Sequence, residues 1–168
     1  MPAKRYGREP AFSQSGAGFA EVTQRADFMN PRFANPSMDE IRTLLRRIKT
    51  IAVVGLSASP RRPSHGVAKA LQGFGYRIIP VNPALSEGLG EKAYPSLRDL
   101  PEPVDLVDVF RDPSHVAAIV DECIDLKLPA LWLQDGVIDS TAALRARAAG
   151  LTVVMDRCIY RDYLRLWA

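Results

Sequence analysis

Small and basic residues follow a short apolar run at residues 51–54, in a pattern that suits the binding of phosphate groups. Gly55 permits a turn and the close approach of a ligand at the end of this run. Ser57 carries a hydroxyl and Arg62 a fork-shaped guanidinium, and both can donate hydrogen bonds to phosphate oxygens. Ser64 can cap the helix that follows. The spacing predicts a β-loop-α unit with phosphate at a helix N-terminus, and therefore a nucleotide-like ligand. The binding residues predicted in this loop are Gly55, Leu56, Ser57, Arg62 and Ser64.

Further polar or aromatic residues follow the later apolar runs, where a ligand at the same sheet edge would lie. Asn82 could bond a ribose or close its own loop as an Asx-turn. Phe110 could stack on a ring or serve as a core aromatic, and Arg111 follows it. Gln134 can bond an amide, and Gly136 allows a ligand to approach the backbone.

The same loop departs from the nicotinamide-dinucleotide fingerprint in two places. That fingerprint requires G-x-G-x-x-G after the first strand, whereas residues 55–60 read GLSASP and lack the second and third glycines. It also requires Asp or Glu after the second strand, where this chain has Asn82. Both departures argue against a nicotinamide cofactor.

Other titratable residues give weaker signals. Asp105 and Asp108 lie in an apolar run, and their spacing of three places them on opposite faces, so we expect structural roles for both. Cys123 occupies an inward helix position and should belong to the core. Cys158 follows Arg157, which could lower the pKa of its thiol, or it could simply close the sheet end. The two histidines have no neighbouring candidate ligands, so no metal site is predicted.

Composition limits the class of protein. The chain has 168 residues, 47% hydrophobic and 24% charged, which predicts a globular domain with a sizeable core. A net charge of +3 suits a small polyanion and does not indicate nucleic acid. We find no apolar run of membrane-spanning length and no secretory signal, so we expect a cytoplasmic protein without a membrane partner. A homo-oligomer is left open.

The elements that must position these residues alternate along the chain. Residues 1–36 are rich in Gly, Ser, Pro, Asn and Arg, and are expected to form a flexible or loosely docked arm, or one whose phenylalanines dock on this subunit or a partner. Ser37 and Glu40 form a capping box for a helix to about Ile48. The domain then spans residues 37–168.

Five strands are predicted at about 50–55, 76–81, 104–110, 130–134 and 151–155, with helices between them. A long loop at 83–103 separates the second from the third. This alternation predicts an α/β protein with a Rossmann-like three-layer α/β/α fold and a five-stranded parallel sheet. We expect the order 3-2-1-4-5, with the ligand at the carboxyl ends of the strands.

Several blocks, in order over roughly residues 38–166, resemble the CoA-binding domain family, including small stand-alone bacterial members and the N-terminal domain of the succinyl-CoA synthetase alpha subunit. The blocks are Val54-Gly55-Leu56-Ser57, Arg62-Pro63-Ser64, Gly75-Tyr76 with Pro80-Val81-Asn82-Pro83, Leu89-Gly90-Glu91-Lys92 with Tyr94-Pro95-Ser96-Leu97, Pro103-Val104-Asp105 with Asp108-Val109-Phe110-Arg111, Trp132-Leu133-Gln134 with Gly136, and Met155-Asp156-Arg157-Cys158.

The resemblance implies binding of coenzyme A or an acyl-CoA, with phosphates across Gly55 to Ser64 and the pantetheine arm passing Phe110 and Gln134. It implies no catalytic activity, and the expected role is that of a carrier, sensor or regulator. Asp135 stands where relatives often have an uncharged residue, and we expect it to point away from the ligand. The alternatives are a nicotinamide-dependent oxidoreductase, a CoA-thiol redox protein using Cys158, and an interaction module acting through the N-terminal arm.

Overall fold

The computed structural model describes residues 32–168, which form a central sheet covered by helices on both faces. The sheet strands are β1 Thr50–Val54, β2 Arg77–Val81, β3 Leu106–Val109, β4 Ala130–Leu133 and β5 Thr152–Val154. The helices are α1 Met38–Arg47, α2 Pro63–Gly73, α3 Val116–Asp125, α4 Ser140–Ala148 and α5 Ile159–Trp167. Short 3₁₀ turns at Leu97–Asp99 and Pro113–His115 and a small hairpin of Glu87–Gly88 with Glu91–Lys92 complete the described elements.

All five strands of the central sheet run parallel, in the spatial order β2-β1-β3-β4-β5. Helices α1, α2 and α5 contribute Leu44, Leu71 and Ile159 to the core on one face. Helices α3 and α4 contribute Val120 and Ala143 on the other. The predicted Rossmann-like, three-layer parallel fold is confirmed.

The observed strand order differs from the expected order 3-2-1-4-5 in what lies beside β2. The predicted third strand was to lie outside β2, but β3 lies on the other side of β1, between β1 and β4. The outer edge of β2 is occupied by Tyr94, which forms a parallel bridge to Val81. Tyr94 donates its N–H to the Pro80 carbonyl at 3.0 Å and accepts from the Asn82 N–H at 2.8 Å. The long loop therefore takes the place beside β2 that the prediction gave to the third strand.

Pro80, in the middle of β2, explains why no full strand pairs with the outer edge of β2. Pro80 has no N–H to offer a neighbouring strand, and prolines in sheets are found at edges or bulges for this reason. A short bridge at Tyr94 satisfies the Pro80 carbonyl without requiring a continuous ladder. The sequence therefore carried a signal that β2 lies at an edge of the regular sheet.

The first helix forms as its sequence predicts. The Ser37 hydroxyl accepts from the Glu40 N–H at 3.3 Å, and the Glu40 carboxylate accepts from the Ser37 N–H at 2.7 Å. These two bonds satisfy donors that a helix start leaves free. Ile41, Leu44 and Leu45 are buried on its inner face.

Residues just before α1 contact the far edge of the sheet. The Asn35 side chain donates to the Met155 carbonyl and accepts from the Met155 N–H, both at 2.8 Å, so it mimics a neighbouring strand. The Arg147 guanidinium lies 4.4 Å from the centre of the Phe33 ring. The predicted arm spans residues 1–36, and residues 1–31 of it lie outside the described part of the chain, so the arm stays a prediction.

Candidate ligand-binding site

A cavity of about 590 Å³ opens where β1, β3 and β4 end at the carboxyl edge of the sheet. Its walls come from the loop after β1, the start of α2 and the residues that follow β3 and β4. This is the edge at which open parallel sheets bind their ligands. Of the predicted site residues, the cavity brings together Gly55, Ser57, Arg62, Ser64, Phe110, Arg111 and Gln134.

The turn at Gly55 is imposed by the protein's own backbone. Gly55 has φ +88°, and a Cβ added there would clash with the Phe110 carbonyl oxygen. From the sequence we expected this glycine to allow the close approach of a ligand. The structure adds a nearer constraint, because the first atom that a side chain would meet is the Phe110 carbonyl oxygen, and the approach of a ligand stays a prediction.

Hydrogen bonds within the loop hold it against the start of α2. The Ser57 N–H donates to the Ser64 hydroxyl at 3.0 Å, and the Ser59 N–H donates to the Ser57 hydroxyl at 3.1 Å. The prediction that Ser64 caps α2 is wrong, because the N-cap is Arg62 and it makes no side-chain cap. Ser64 instead lies inside the first turn and is buried, and its hydroxyl hydrogen remains available to a ligand in the cavity.

Positive charge collects around this loop. Arg62 lines the cavity from the N-cap position of α2, and α2 has no acidic residue in its first turn. The N-terminal end of a helix adds partial positive charge. Arg111 lines the cavity from the end of β3, and its guanidinium lies 3.2 Å from the imidazole Nε2 of His115. Within residues 32–168, Arg62 makes no ion pair. The arrangement suits an anionic group such as a phosphate.

The acidic residue of the cavity is neutralised by a partner. Asp135 was expected to point away from the ligand, but it lines the cavity wall. Its two carboxylate oxygens accept from the Arg161 guanidinium at 2.7 and 2.8 Å. This bidentate pair offsets the repulsion that a free carboxylate would exert on a phosphate.

Three predicted site residues do not line the cavity. Leu56 is fully buried in the core. Asn82 donates to the Leu56 carbonyl and accepts from the Ala84 N–H, each at 2.9 Å, so its amide holds the loop and the Asx-turn alternative is the one observed. Gly136 donates its N–H to the Asp156 carboxylate at 2.8 Å, in a turn with φ +75°.

A second, smaller cavity of about 220 Å³ lies beside the first and shares Gly55 and Arg111 with it. Its other walls come from the ends of β1 and β2, the loop at residues 95–97 and helix α3. The Glu122 Oε2 atom at this cavity is sealed from solvent and has no hydrogen-bond partner among residues 32–168. Sequence reasoning missed this cavity, because most of its lining is apolar.

Other contributors to the large cavity were also missed or left open. Val67 and Val137 give the large cavity apolar surface, and valine is not a residue type that marks a binding site in a sequence. Cys158 is partly exposed and lines the same cavity, so its thiol can contact a bound ligand. Cys123 is fully buried in the core, as predicted, and this burial raises the pKa of its thiol to about 12.

Asp105, just before β3, and Asp108, within β3, differ in how fully their carboxyl groups are hydrogen-bonded. The Asp105 carboxylate accepts from the backbone N–H groups of Lys49 and Thr50 at 2.8 and 3.0 Å, as a structural residue should. Asp108 is fully buried and accepts from the Gln134 Nε2 at 2.7 Å, while its Oδ2 has no partner among the described residues. Burial raises the pKa of the Asp108 carboxyl to about 7. Asp105 is therefore a fully hydrogen-bonded structural residue, as expected. Asp108 is not, because only one of its two carboxyl oxygens has a partner.

The described part of the chain has neither a metal-binding cluster nor a membrane-spanning helix. Residues 32–168 contain no group of three or more His, Cys, Asp or Glu side chains placed to hold a metal ion. None of the helices described above is long and apolar enough to cross a membrane.

Comparison with known proteins identifies a family. A family model described as "CoA binding domain" matches residues 49–163. The uncharacterized protein YneT of Bacillus subtilis is 46% identical over 125 residues, which cover 74% of this chain and 93% of YneT. A solved structure from Thermus thermophilus is 41% identical with a TM-score of 0.75, and the match covers 79% of this chain and 100% of that one.

A shorter match links the chain to much larger enzymes. The ADP-forming acetate–CoA ligase of Methanocaldococcus jannaschii is 29% identical over 75 residues, which are 45% of this chain but only 11% of the ligase. The likeness therefore concerns one region of the ligase and not its whole length.

The close approach at Gly55 predicts a loss of stability when a side chain is added. We expect Gly55→Ala to lower the free energy of unfolding by about 2 kcal/mol or more, because it combines left-handed strain with a clash against the Phe110 carbonyl. Gly66→Ala is the matched control, since a Cβ there meets nothing within 4 Å inside α2, and it should be neutral or stabilising by up to about 1 kcal/mol. Urea unfolding of both variants checks this. Equal stability of the two would contradict it.

The buried Asp108 predicts a dependence of stability on pH. Its pKa is about 7 in the folded protein and close to the ordinary value of about 3.8 when unfolded. Between these values the folded chain keeps a proton that the unfolded chain releases, so wild-type stability falls as pH rises through this window. In the Asp108→Asn variant the side chain at this position does not titrate. Its stability relative to wild type should therefore rise by more than about 1 kcal/mol between pH 4.5 and pH 7.5.

Asp105→Asn is the control for this experiment. Partial burial raises the pKa of Asp105, but hydrogen bonds from the backbone of Lys49 and Thr50 lower it on balance. Its contribution to stability is present above its unfolded pKa and is lost only at lower pH. The effect of Asp105→Asn should therefore change little between pH 4.5 and pH 7.5. A flat difference for Asp108→Asn as well would show that its carboxyl titrates normally.

Proposed function

Since the chain belongs to the CoA binding domain family, we propose that it binds coenzyme A or an acyl-CoA at the carboxyl edge of its sheet, as a carrier, sensor or regulator and without catalysis. The observation that carries this proposal is the pair of cavities that meet at Gly55 and Arg111, beside a positively charged loop. Coenzyme A has the matching form, with two arms joined by a pyrophosphate. A cytoplasmic location is part of the proposal.

The pyrophosphate would lie against the loop after β1. There the hydroxyls of Ser57 and Ser64, the Arg62 guanidinium and the start of α2 can donate hydrogen bonds or contribute positive charge. The pairing of Asp135 with Arg161 leaves the cavity wall without an uncompensated negative charge at this point. These features favour a phosphate-bearing ligand over a neutral one.

The pantetheine arm would occupy the large cavity. Val67, Phe110 and Val137 supply apolar contact for its carbon chain, and Gln134 supplies a polar contact for one of its amides. The thiol or acyl end would then come within reach of the wall that Cys158 forms.

The adenosine end would occupy the small cavity. Pro83, Leu97 and Ile119 give it apolar walls that suit a flat base. Arg111 stands between the two cavities, where it can reach phosphate oxygens from either side.

A nicotinamide dinucleotide fits this site less well. The second and third glycines of its fingerprint are absent, and the amide of Asn82 is engaged on both sides within the loop. Both observations weigh against the oxidoreductase alternative. No reaction is assigned to the site, because Asp135, the carboxylate of the large cavity, is held by Arg161.

Neighbouring arginines provide the test of this proposal. Both side chains are exposed, but Arg62 lines the cavity and Arg61 does not. By isothermal titration calorimetry we expect Arg62→Ala to weaken CoA binding by about 1 to 3 kcal/mol through loss of a charge-assisted phosphate contact. Arg61→Ala removes the same charge from the chain and should change the affinity no more than about twofold.

The same titrations on the wild-type protein include NAD and NADH. Binding of CoA and acetyl-CoA, without binding of either dinucleotide, is the expected result. Binding of NAD or NADH in place of CoA would overturn the proposed function. Equal effects of the two arginine substitutions would remove Arg62 from the site and leave only a general effect of charge.

A further inference from the structure

Gln134 is the most deeply buried hydrogen-bonding side chain in the wall of the large cavity. It is 4% exposed and its Nε2 donates to the Asp108 Oδ1 at 2.7 Å. Its main chain is also held, since its N–H donates to the Val109 carbonyl at 3.3 Å and its carbonyl accepts from the Val137 N–H at 2.9 Å. Both ends of this residue's backbone and one end of its amide are therefore fixed.

The bond to Asp108 decides which end of the amide a ligand can meet. A carboxamide has a nitrogen that only donates and an oxygen that only accepts. Because the nitrogen is bound to Asp108 below the cavity, the oxygen is the end left for the cavity. Within residues 32–168 the Gln134 Oε1 has no hydrogen-bond partner, and it is not sealed from solvent.

Asp108 is costly where it lies, which points to a role beyond packing. It is fully buried, and its neighbours on the adjacent strands are Val53 and Trp132. A polar group in such surroundings lowers stability unless its hydrogen bonds are complete, and its Oδ2 has no partner among the described residues. When it is ionised the carboxyl only accepts, so it can hold the Gln134 amide only by its nitrogen.

We propose that Asp108 is a positioning residue that fixes the Gln134 amide with its oxygen toward the large cavity, so that the cavity takes a ligand group that donates a hydrogen bond there. The secondary amide N–H groups of a pantetheine arm have this chemistry. The inference rests on the proposed function and adds to it the polarity of one contact and the residue that sets it. Asp108 acts through Gln134 and does not itself touch the ligand.

Two ligands separate this role from a structural one. Coenzyme A carries the pantetheine arm, whereas adenosine 3′,5′-bisphosphate carries only the nucleotide end. Gln134→Met keeps the length of the side chain without an acceptor. We expect it to weaken CoA binding about 3- to 10-fold, the effect of one neutral hydrogen bond, and to change bisphosphate binding less than about twofold.

A double-mutant cycle then tests whether Asp108 acts through Gln134. Asparagine at 108 can present either an oxygen or a nitrogen, so Asp108→Asn lets the Gln134 amide turn over. It should weaken CoA binding roughly 2- to 5-fold in the wild-type background and have no further effect in Gln134→Met. The double variant also removes the carboxylate that Gln134→Met leaves without a partner, so it serves if that single variant does not fold.

Hydrogen exchange of the Gln134 side chain tests the orientation of its amide in the wild-type protein. The side-chain NH₂ hydrogens of Gln134 should exchange slowly with solvent, both in the free protein and in the CoA complex, because they face Asp108. Fast exchange in either state would overturn the assigned orientation.

The outcomes distinguish the two proposals. A wild-type protein that binds neither ligand contradicts the proposed function itself. A wild-type protein that binds CoA, with Gln134→Met binding it equally well, contradicts only the role of Gln134. Equal losses for both ligands, or a full effect of Asp108→Asn in the Gln134→Met background, would show that Asp108 supports the fold and does not position the amide.

Discussion

The contact between the Gly55 turn and the Phe110 carbonyl is the constraint on which the site depends. At the end of β1 the chain turns with φ +88°, so closely over the end of β3 that no Cβ fits between them. This turn sends the loop toward the start of α2, where Ser64 receives the Ser57 N–H. It also leaves Gly55 and Arg111 as shared walls of two cavities. A looser turn would separate the loop from β3, and the serine and arginine side chains of the loop would no longer meet the two cavities at one point.

Electrostatics and polarity then divide the site by function. Arg62, Arg111 and the N-terminal end of α2 make the junction of the cavities positive, while Arg161 offsets the charge of Asp135 on the wall. Below that wall Asp108 lies in the apolar interior, where an ionised carboxyl is disfavoured and its pKa rises to about 7. The charge of Asp135 is therefore balanced by an ion pair at the surface. Asp108 is instead buried, with a raised pKa and one hydrogen bond from an amide. The site can present positive charge to a phosphate and a neutral acceptor to an amide within one cavity.

Much of this structure could be predicted from the sequence because its signals are local. The capping box at Ser37 and Glu40 and the alternation of apolar runs with helical periods define the layers of the fold. Glycine, serine and arginine after β1 define the loop. The remainder depends on contacts between distant segments. The order of the strands differs from the prediction, since Tyr94 of the long loop, and not β3, pairs with the edge of β2, and Pro80 was the available signal. Ser64 has the residue type of a cap but bonds Ser57 across seven positions. Val67 and Val137 line the cavity through tertiary placement alone, and no residue pattern marks them.

We propose that a CoA ligand places its pyrophosphate at the Gly55 junction and sends its two arms into the two cavities. A crystal structure of the full chain with coenzyme A tests this most directly. We predict phosphate oxygens within hydrogen-bonding distance of Arg62 and of the Ser57 or Ser64 hydroxyl, the adenine beside Leu97 and Ile119, and the pantetheine arm passing Gln134. A ligand bound away from the carboxyl edge of the sheet, or phosphates with no contact to the loop after β1, would contradict the claim.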